Sequence, residues 1–262
     1  MEQQAKASAM IGRVLGFLSG YLANLEADLG NRRAAEAASA ENSRFAAMLV
    51  RDLPPDAFER VLSTEFTQLN FGYALPVAAG DYQSVRSSAQ AAIHRIERFE
   101  PKDAQQKLWK NRFLLGTHGV LADALYNLRE YEAADREIKA AIEFRKLVPK
   151  RTLQDERDAG DELILAAMIA ARLERHAEAQ KIVEPVLEFH RRLYGRGKDN
   201  DDLSQHVQLA HALYASALAA PGQRASQLTE AAAIVDRLPP AMRGLVSVSL
   251  WRNRIAEEQK RR

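Results

Sequence analysis

The sequence contains no cysteine. That removes disulfides, thiolate metal sites and cysteine nucleophiles together, and leaves the cellular compartment open. Strand-forming residues are scarce: Val, Ile and Thr number 28 together, against 45 Ala and 31 Leu, a balance that favours helix almost throughout. Neither sign of charge dominates. With 37 Lys and Arg against 35 Asp and Glu the net charge is +2, so no overall field recruits nucleic acid or an anionic membrane. Long apolar runs are missing as well. The longest uncharged stretch, residues 207–223, is interrupted by Gln208, His211, Ser216 and Pro221, where a spanning helix needs about 20 mostly apolar residues. The opening Met-Glu-Gln-Gln-Ala-Lys lacks the basic start and apolar segment of a secretion signal. The expectation is a cytoplasmic protein with no membrane span.

What is present is a nearly continuous helical pattern with short, regular breaks. Ile11, Leu15, Leu18, Leu22, Leu25 and Leu29 step by three or four, one stripe of a helix. Breaks are expected at Gly30-Asn31, Pro54-Pro55, Gly80-Asp81, Pro101, Arg129-Glu130, Pro149, Glu174-Arg175, Gly195–Asp202, Pro221-Gly222 and Pro239-Pro240. Prolines suit a first helical turn, where their missing N–H is no loss. About eleven helices follow, and no strand.

Four breaks align: Leu29-Gly30-Asn31-Arg32, Ala79-Gly80-Asp81-Tyr82, Leu128-Arg129-Glu130-Tyr131 and Leu173-Glu174-Arg175-His176. Three residues past each corner comes a compact side chain, Ala35, Val85, Ala134 or Ala179, and the corners lie 50, 49 and 45 residues apart. The preceding helices share a facing pattern, as in Leu22, Ala23, Leu25, Leu29 and Leu121, Ala122, Leu125, Leu128. One helical hairpin per fixed period is the signature of an α-solenoid. The reading is one all-α domain over 1–262, with five hairpins near 5–51, 54–99, 101–148, 151–194 and 202–238. A closing helix at 240–261 covers the last apolar edge and turns Arg252, Arg254, Glu257, Glu258 and Lys260 outward.

Ala122, Leu125, Leu128, Tyr131, Ala134, Ala141 and Pro149 resemble the tetratricopeptide repeat pattern, and Glu188–Gly195 with its Asp-rich sequel is similar to the longer repeats of kinesin-light-chain type. The resemblance implies a right-handed superhelical solenoid that binds protein segments on its concave face, a role such repeats also play in bacterial signalling proteins. Two departures stand out: the period exceeds the family's usual ~34 residues, and Pro76 interrupts a first helix.

Chemistry-bearing constellations are absent. Of six histidines, none forms a metal-binding i, i+4 pair with an intervening Glu, and His206 and His211 sit about 140° apart on a helix. Asp201 and Asp202 near them do not complete a site of fixed geometry. His176 takes the corner position of Tyr82 and Tyr131, a packing role. Tyr194–Asp199 lacks the spacing and preceding strand of a phosphate loop, and no serine sits in a nucleophile elbow. Asp155, Glu156 and Asp158 among arginines read as a charged helix start. Basic clusters at Arg145-Lys146 with Lys150-Arg151, at Arg191-Arg192 with Arg196 and Lys198, and at Lys260-Arg261-Arg262 lack the charge excess of a nucleic-acid reader. No enzyme, metal or cofactor is expected.

The candidate site is therefore the side of each first helix turned from its Ala/Leu packing face: Asn24, Thr67, Asn70, Asp123, Tyr126, Asn127, Met168 and Arg172. Asparagine amides can clamp a peptide backbone, and Arg172 suits a carboxylate. The first helix carries apolar residues on more than one stripe, including Phe17 and Leu18, so it is expected to meet a second copy or another domain. The expected function is a non-enzymatic peptide- or protein-binding scaffold. The alternative is a ligand- or peptide-sensing module of a larger bacterial kinase, cyclase or transcription regulator.

Overall fold

The computed structural model describes residues 2–51, 53, 57–149, 152–197 and 203–261, and excludes the side chains of 2–10, 13, 154, 196 and 197. The expected helix start at Pro54-Pro55, the basic pair Lys150-Arg151, the loop from Lys198 through Asp201 and Asp202, and Arg262 lie outside the described residues. What is described is all-α, without a strand among the described residues. In order come α1 (Glu2–Asp28), α2 (Arg32–Val50), α3 (Phe58–Thr67), a π-helical turn (Gln68–Gly72), α4 (Ala74–Ala78), α5 (Tyr82–Arg98), α6 (Ala104–Asn127) and α7 (Tyr131–Lys146). Then follow α8 (Leu153–Arg172), α9 (His176–Gly197), α10 (Leu203–Ala219), a 3-10 turn (Pro221–Gln223), α11 (Arg224–Asp236), α12 (Pro240–Arg243) and α13 (Val246–Lys260). Successive helices pack together over α1–α2–α3 and α4–α5, and again over α8–α9–α10–α11.

The four aligned corners share one backbone geometry. The second residue of each is left-handed: Gly30 at φ 79°, Gly80 at 70°, Arg129 at 63° and Glu174 at 61°. In each, the N–H one residue later donates back to a carbonyl five residues upstream, Asn31 to Glu26, Asp81 to Pro76, Glu130 to Leu125 and Arg175 to Ala170, at 2.8–2.9 Å. This is the Schellman closure that satisfies the orphan carbonyls of a helix end. The compact residues past the corners are sealed into the core: Ala35, Ala134 and Ala179 at 0% exposure, Val85 at 1%. Two corners use a side-chain-bearing residue where glycine is favoured. Arg129→Gly and Glu174→Gly are therefore each expected to raise stability by about 0.5–1 kcal/mol, read as a higher urea midpoint. A lower midpoint would mean that the side chain does more than tolerate the turn.

Several boundaries differ from the sequence expectation, each for a local reason. Pro101 does not open α6. Asp103 does, its carboxylate accepting from the Gln106 N–H at 2.8 Å, a side-chain cap that proline cannot supply. The charged helix start expected around Asp155 is present, and Asp155 refines it by forming a reciprocal capping box with Thr152 at the start of α8. The helix over 58–78 is split, because the π turn at 68–72 precedes a proline at the third position of α4; Pro76 has no N–H to continue the ladder. Helix α9 runs through Gly195 to Gly197, with Pro185 inside it. The closing helix is two pieces, α12 and α13, joined through Leu245 in an extended conformation.

The chain divides into two compact units, residues 1–124 with 143–148, and residues 125–142 with 149–262. In the first, the inner face of α1 is made of Gly16, Gly20, Ala23 and Ala27, all buried. Gly20 lets the Phe71 ring approach so closely that a Cβ there would lie 2.5 Å from it. Buried Glu65 takes a forked pair of hydrogen bonds from Arg95 at 2.9 and 3.3 Å, and Asn42 donates to the Gly16 carbonyl at 2.6 Å. In the second, Ile138, Ile169, Val183, Leu209, Leu213, Leu228 and Ile255 form the core, with alanines such as Ala167, Ala210 and Ala212 at 0% exposure between them. Small residues there let the helix axes come close.

Candidate functional site

The first unit holds Asn24, Thr67, Asn70 and Asp123, and uses them largely on itself. Asn24 donates to the Asn70 carbonyl at 2.9 Å, tying α1 to the π turn, and the Asn70 amide donates to the Phe66 carbonyl at 2.8 Å. Asp123 is half-buried. Thr67 lines an open, mainly apolar cavity of about 280 Å³ shared with Phe17, Phe66, Phe71 and Trp109. Phe17, 40% exposed, keeps the outward role expected of it while meeting this aromatic group edge-on, 5.3 Å from Phe66 and 6.2 Å from Phe71. Leu18 keeps that role at 60% exposure.

In the second unit Met168 is 2% exposed, a core side chain and not a groove surface. Tyr126, at 7%, also turns inward. The others converge on α13. Arg172 donates to Glu258 at 2.8 Å and lies against the Tyr126 and Tyr214 hydroxyls at 3.4 and 3.3 Å. Arg224 donates to the other Glu258 oxygen, and Arg261 stands 3.3 Å away. Next to this node Arg254 donates to the Asn127 carbonyl oxygen while its guanidinium covers the Trp251 ring at 4.7 Å. Trp251 in turn packs on His211, ring centroids 3.7 Å apart.

This corrects the expectation that α13 turns its charges outward. Arg252, Glu257 and Lys260 are exposed, but Arg254 is half-buried and Glu258 is 2% exposed. A carboxylate this deep needs compensating cations, and Arg172 and Arg224 supply them.

The electrostatics follow from burial. Desolvation works against the charge on Arg172, but the bond to Glu258 and the two phenols outweigh it, so its proton is held more firmly than usual. Burial pushes the Tyr126 and Tyr214 hydroxyls up, so both stay neutral while accepting from Arg172. Desolvation lowers His211 to about 3, with Arg254 and His190 adding to the effect. His190 falls to about 4 through burial and then Arg157. The Nε2 atoms of both histidines lack a hydrogen-bond partner among the described residues.

What the arrangement can do is hold an acidic side chain presented by a helix, using a rigid arginine fork backed by two phenols. Among the described residues there is no cluster of three potential metal ligands, and no helix is long and apolar enough to cross a membrane. His206 packs edge-on to Tyr194 at 5.0 Å. Arg191, from one basic cluster, is paired with Glu230 at 2.7 Å. Glu258 was missed in the sequence because nothing local marks it: it lies 86 residues from Arg172. No protein-family model, curated protein or solved structure matches the chain.

Proposed function

We propose that the chain is a non-enzymatic scaffold that binds a helical segment of a partner protein, with Arg172 as the anchor for an acidic side chain of that segment. The repeated Schellman corners support a tetratricopeptide-like solenoid, right-handed as in that family, as its framework. The observation that carries the reading is the docking of α13. Its Glu258 already meets Arg172 and Arg224, and its Arg254 already meets Asn127. Helix α13 is thus an internal occupant with the chemistry expected of a partner: an apolar stripe, Val248 and Ile255, flanked by a carboxylate and a guanidinium.

A tethered occupant competes at an effective concentration on the order of millimolar. Free partner must overcome it, which lends the alternative, a sensing module switched by release of α13, a physical basis. The test uses a labelled synthetic peptide of residues 246–260, titrated by fluorescence anisotropy against the native chain and against Glu258→Ala. The reading predicts weak binding to the native chain and at least tenfold tighter binding to Glu258→Ala, lost when the peptide's own Glu258 is replaced by Lys. Equal affinities, or indifference to that glutamate, would remove the anchor role from Arg172.

A further inference from the structure

The outer face of α1, continued one residue past its end to Leu29, is an unpartnered heptad seam. Ile11, Leu15, Leu18, Leu22, Leu25 and Leu29 alternate in steps of four and three, the a/d spacing of a coiled coil. All six are solvent-exposed, at 57, 40, 60, 48, 55 and 50%. Val14 at 51% and Tyr21 at 65% flank them. The opposite face of the helix, Gly16, Gly20, Ala23 and Ala27, is the one buried in the chain's own core. One helix therefore has a small-residue stripe turned inward and a leucine stripe turned to water.

We infer that this seam is a self-association surface, closed by α1 of a second copy of this chain in antiparallel orientation. Three observations select that occupant. First, an antiparallel pair centred at residue 20 places Ile11 opposite Leu29 of the other copy, Leu15 opposite Leu25, and Leu18 opposite Leu22. Every seam residue then finds an a-to-d partner and none is left over, which is the self-complementarity a two-fold interface requires. Second, the fractional exposures correspond to roughly 600–900 Å² of apolar surface per copy, more than monomers usually leave in one patch and close to the ~800 Å² per partner of a specific interface. Third, Glu26 and Asp28 both lie at the C-terminal end of the seam. A parallel pair gathers four carboxylates at one end. An antiparallel pair separates them and opposes the helix dipoles favourably.

The mass of the full chain in solution, by sedimentation or light scattering at about 50 µM, a concentration that populates a micromolar dimer, is expected to be twice 29.2 kDa. Leu18→Glu with Leu22→Glu is expected to halve it while leaving the far-UV circular dichroism unchanged, because both residues are already exposed, at 60 and 48%. The absence of cysteine allows an orientation test. Ile11→Cys with Leu29→Cys is expected to form a disulfide-linked dimer under mild oxidation, and Ile11→Cys alone is not. A monomeric native chain, or a dimer that survives the two glutamates, overturns the proposal. Efficient cross-linking of Ile11→Cys alone overturns the antiparallel orientation.

Discussion

Replacing Glu258 by alanine is expected to weaken the docking of α13 by about 3–5 kcal/mol, the usual cost of removing one partner from a buried ion pair. The carboxylate is 2% exposed and is held by Arg172 and Arg224. Without it two half-buried guanidinium groups lose their counter-charge, Arg172 keeping only the phenols of Tyr126 and Tyr214 and Arg224 the main-chain carbonyl of residue 258. The loss falls on α13 first, because undocking that helix returns both arginines to water. Trp251 sits on α13, so its fluorescence in a Trp109→Phe background is the natural probe. Its urea midpoint is expected to fall by at least about 1 M at ordinary slopes, while the far-UV signal of the whole chain moves less. Arg172→Met combined with Glu258→Leu is expected to recover part of the loss, since an apolar pair carries no uncompensated charge. A midpoint unchanged in Glu258→Ala would show that the ion pair contributes nothing to docking.

Acid is expected to open the same contact. The folded values of about 4 for His190 and about 3 for His211 lie below the ordinary histidine value. The unfolded chain therefore binds protons that the folded chain refuses, and stability present above pH ~6.5 is lost as pH falls toward the folded values. At 1.36 kcal/mol per pKa unit for each histidine, moving from pH 7.5 to pH 5 costs the 125–142 and 149–262 unit about 4 kcal/mol. His211 is the more informative of the two because its ring lies 3.7 Å from Trp251, and protonating it requires α13 to move away. The Trp251 urea midpoint is expected to drop steeply across this window, and His190→Gln with His211→Gln is expected to flatten most of the slope. A slope unaltered by the double substitution would assign the acid sensitivity to other groups.

The fold was legible to the extent that it is local. The corners at Gly30, Gly80, Arg129 and Glu174 could be aligned by their neighbours, since a Schellman closure and a compact residue in the next helix are decided within about ten residues. The exposed stripe of α1 was legible for the same reason, as a periodicity contained within one helix. A cap was misplaced where a polar side chain outranks proline, at Asp103, while the charged helix start at Asp155 was placed correctly without its capping box with Thr152 being seen.

The intramolecular use of the site was not legible. Arg172, on the side of α8 away from its alanines, was expected to meet a partner's carboxylate, and it is paired instead with the chain's own Glu258. The identity of that carboxylate depends on how α13 returns across α10 and α11, a long-range packing decision that no window of sequence contains. Met168 and Tyr126 illustrate the converse: helical phase placed them on a solvent-facing side, but the packing of neighbouring helices buries them.

The central claim, that α13 is a displaceable occupant of the Arg172 face and not an inseparable part of the core, is tested most directly by amide hydrogen exchange. Native chain and Glu258→Ala are compared at pH 7.5, helix by helix. The account predicts that protection of residues 246–260 falls by about a hundredfold or more in the variant while α8 and α10 keep theirs, the pattern of local opening. Equal loss of protection in α8, α10 and α13, or none in α13, would contradict it.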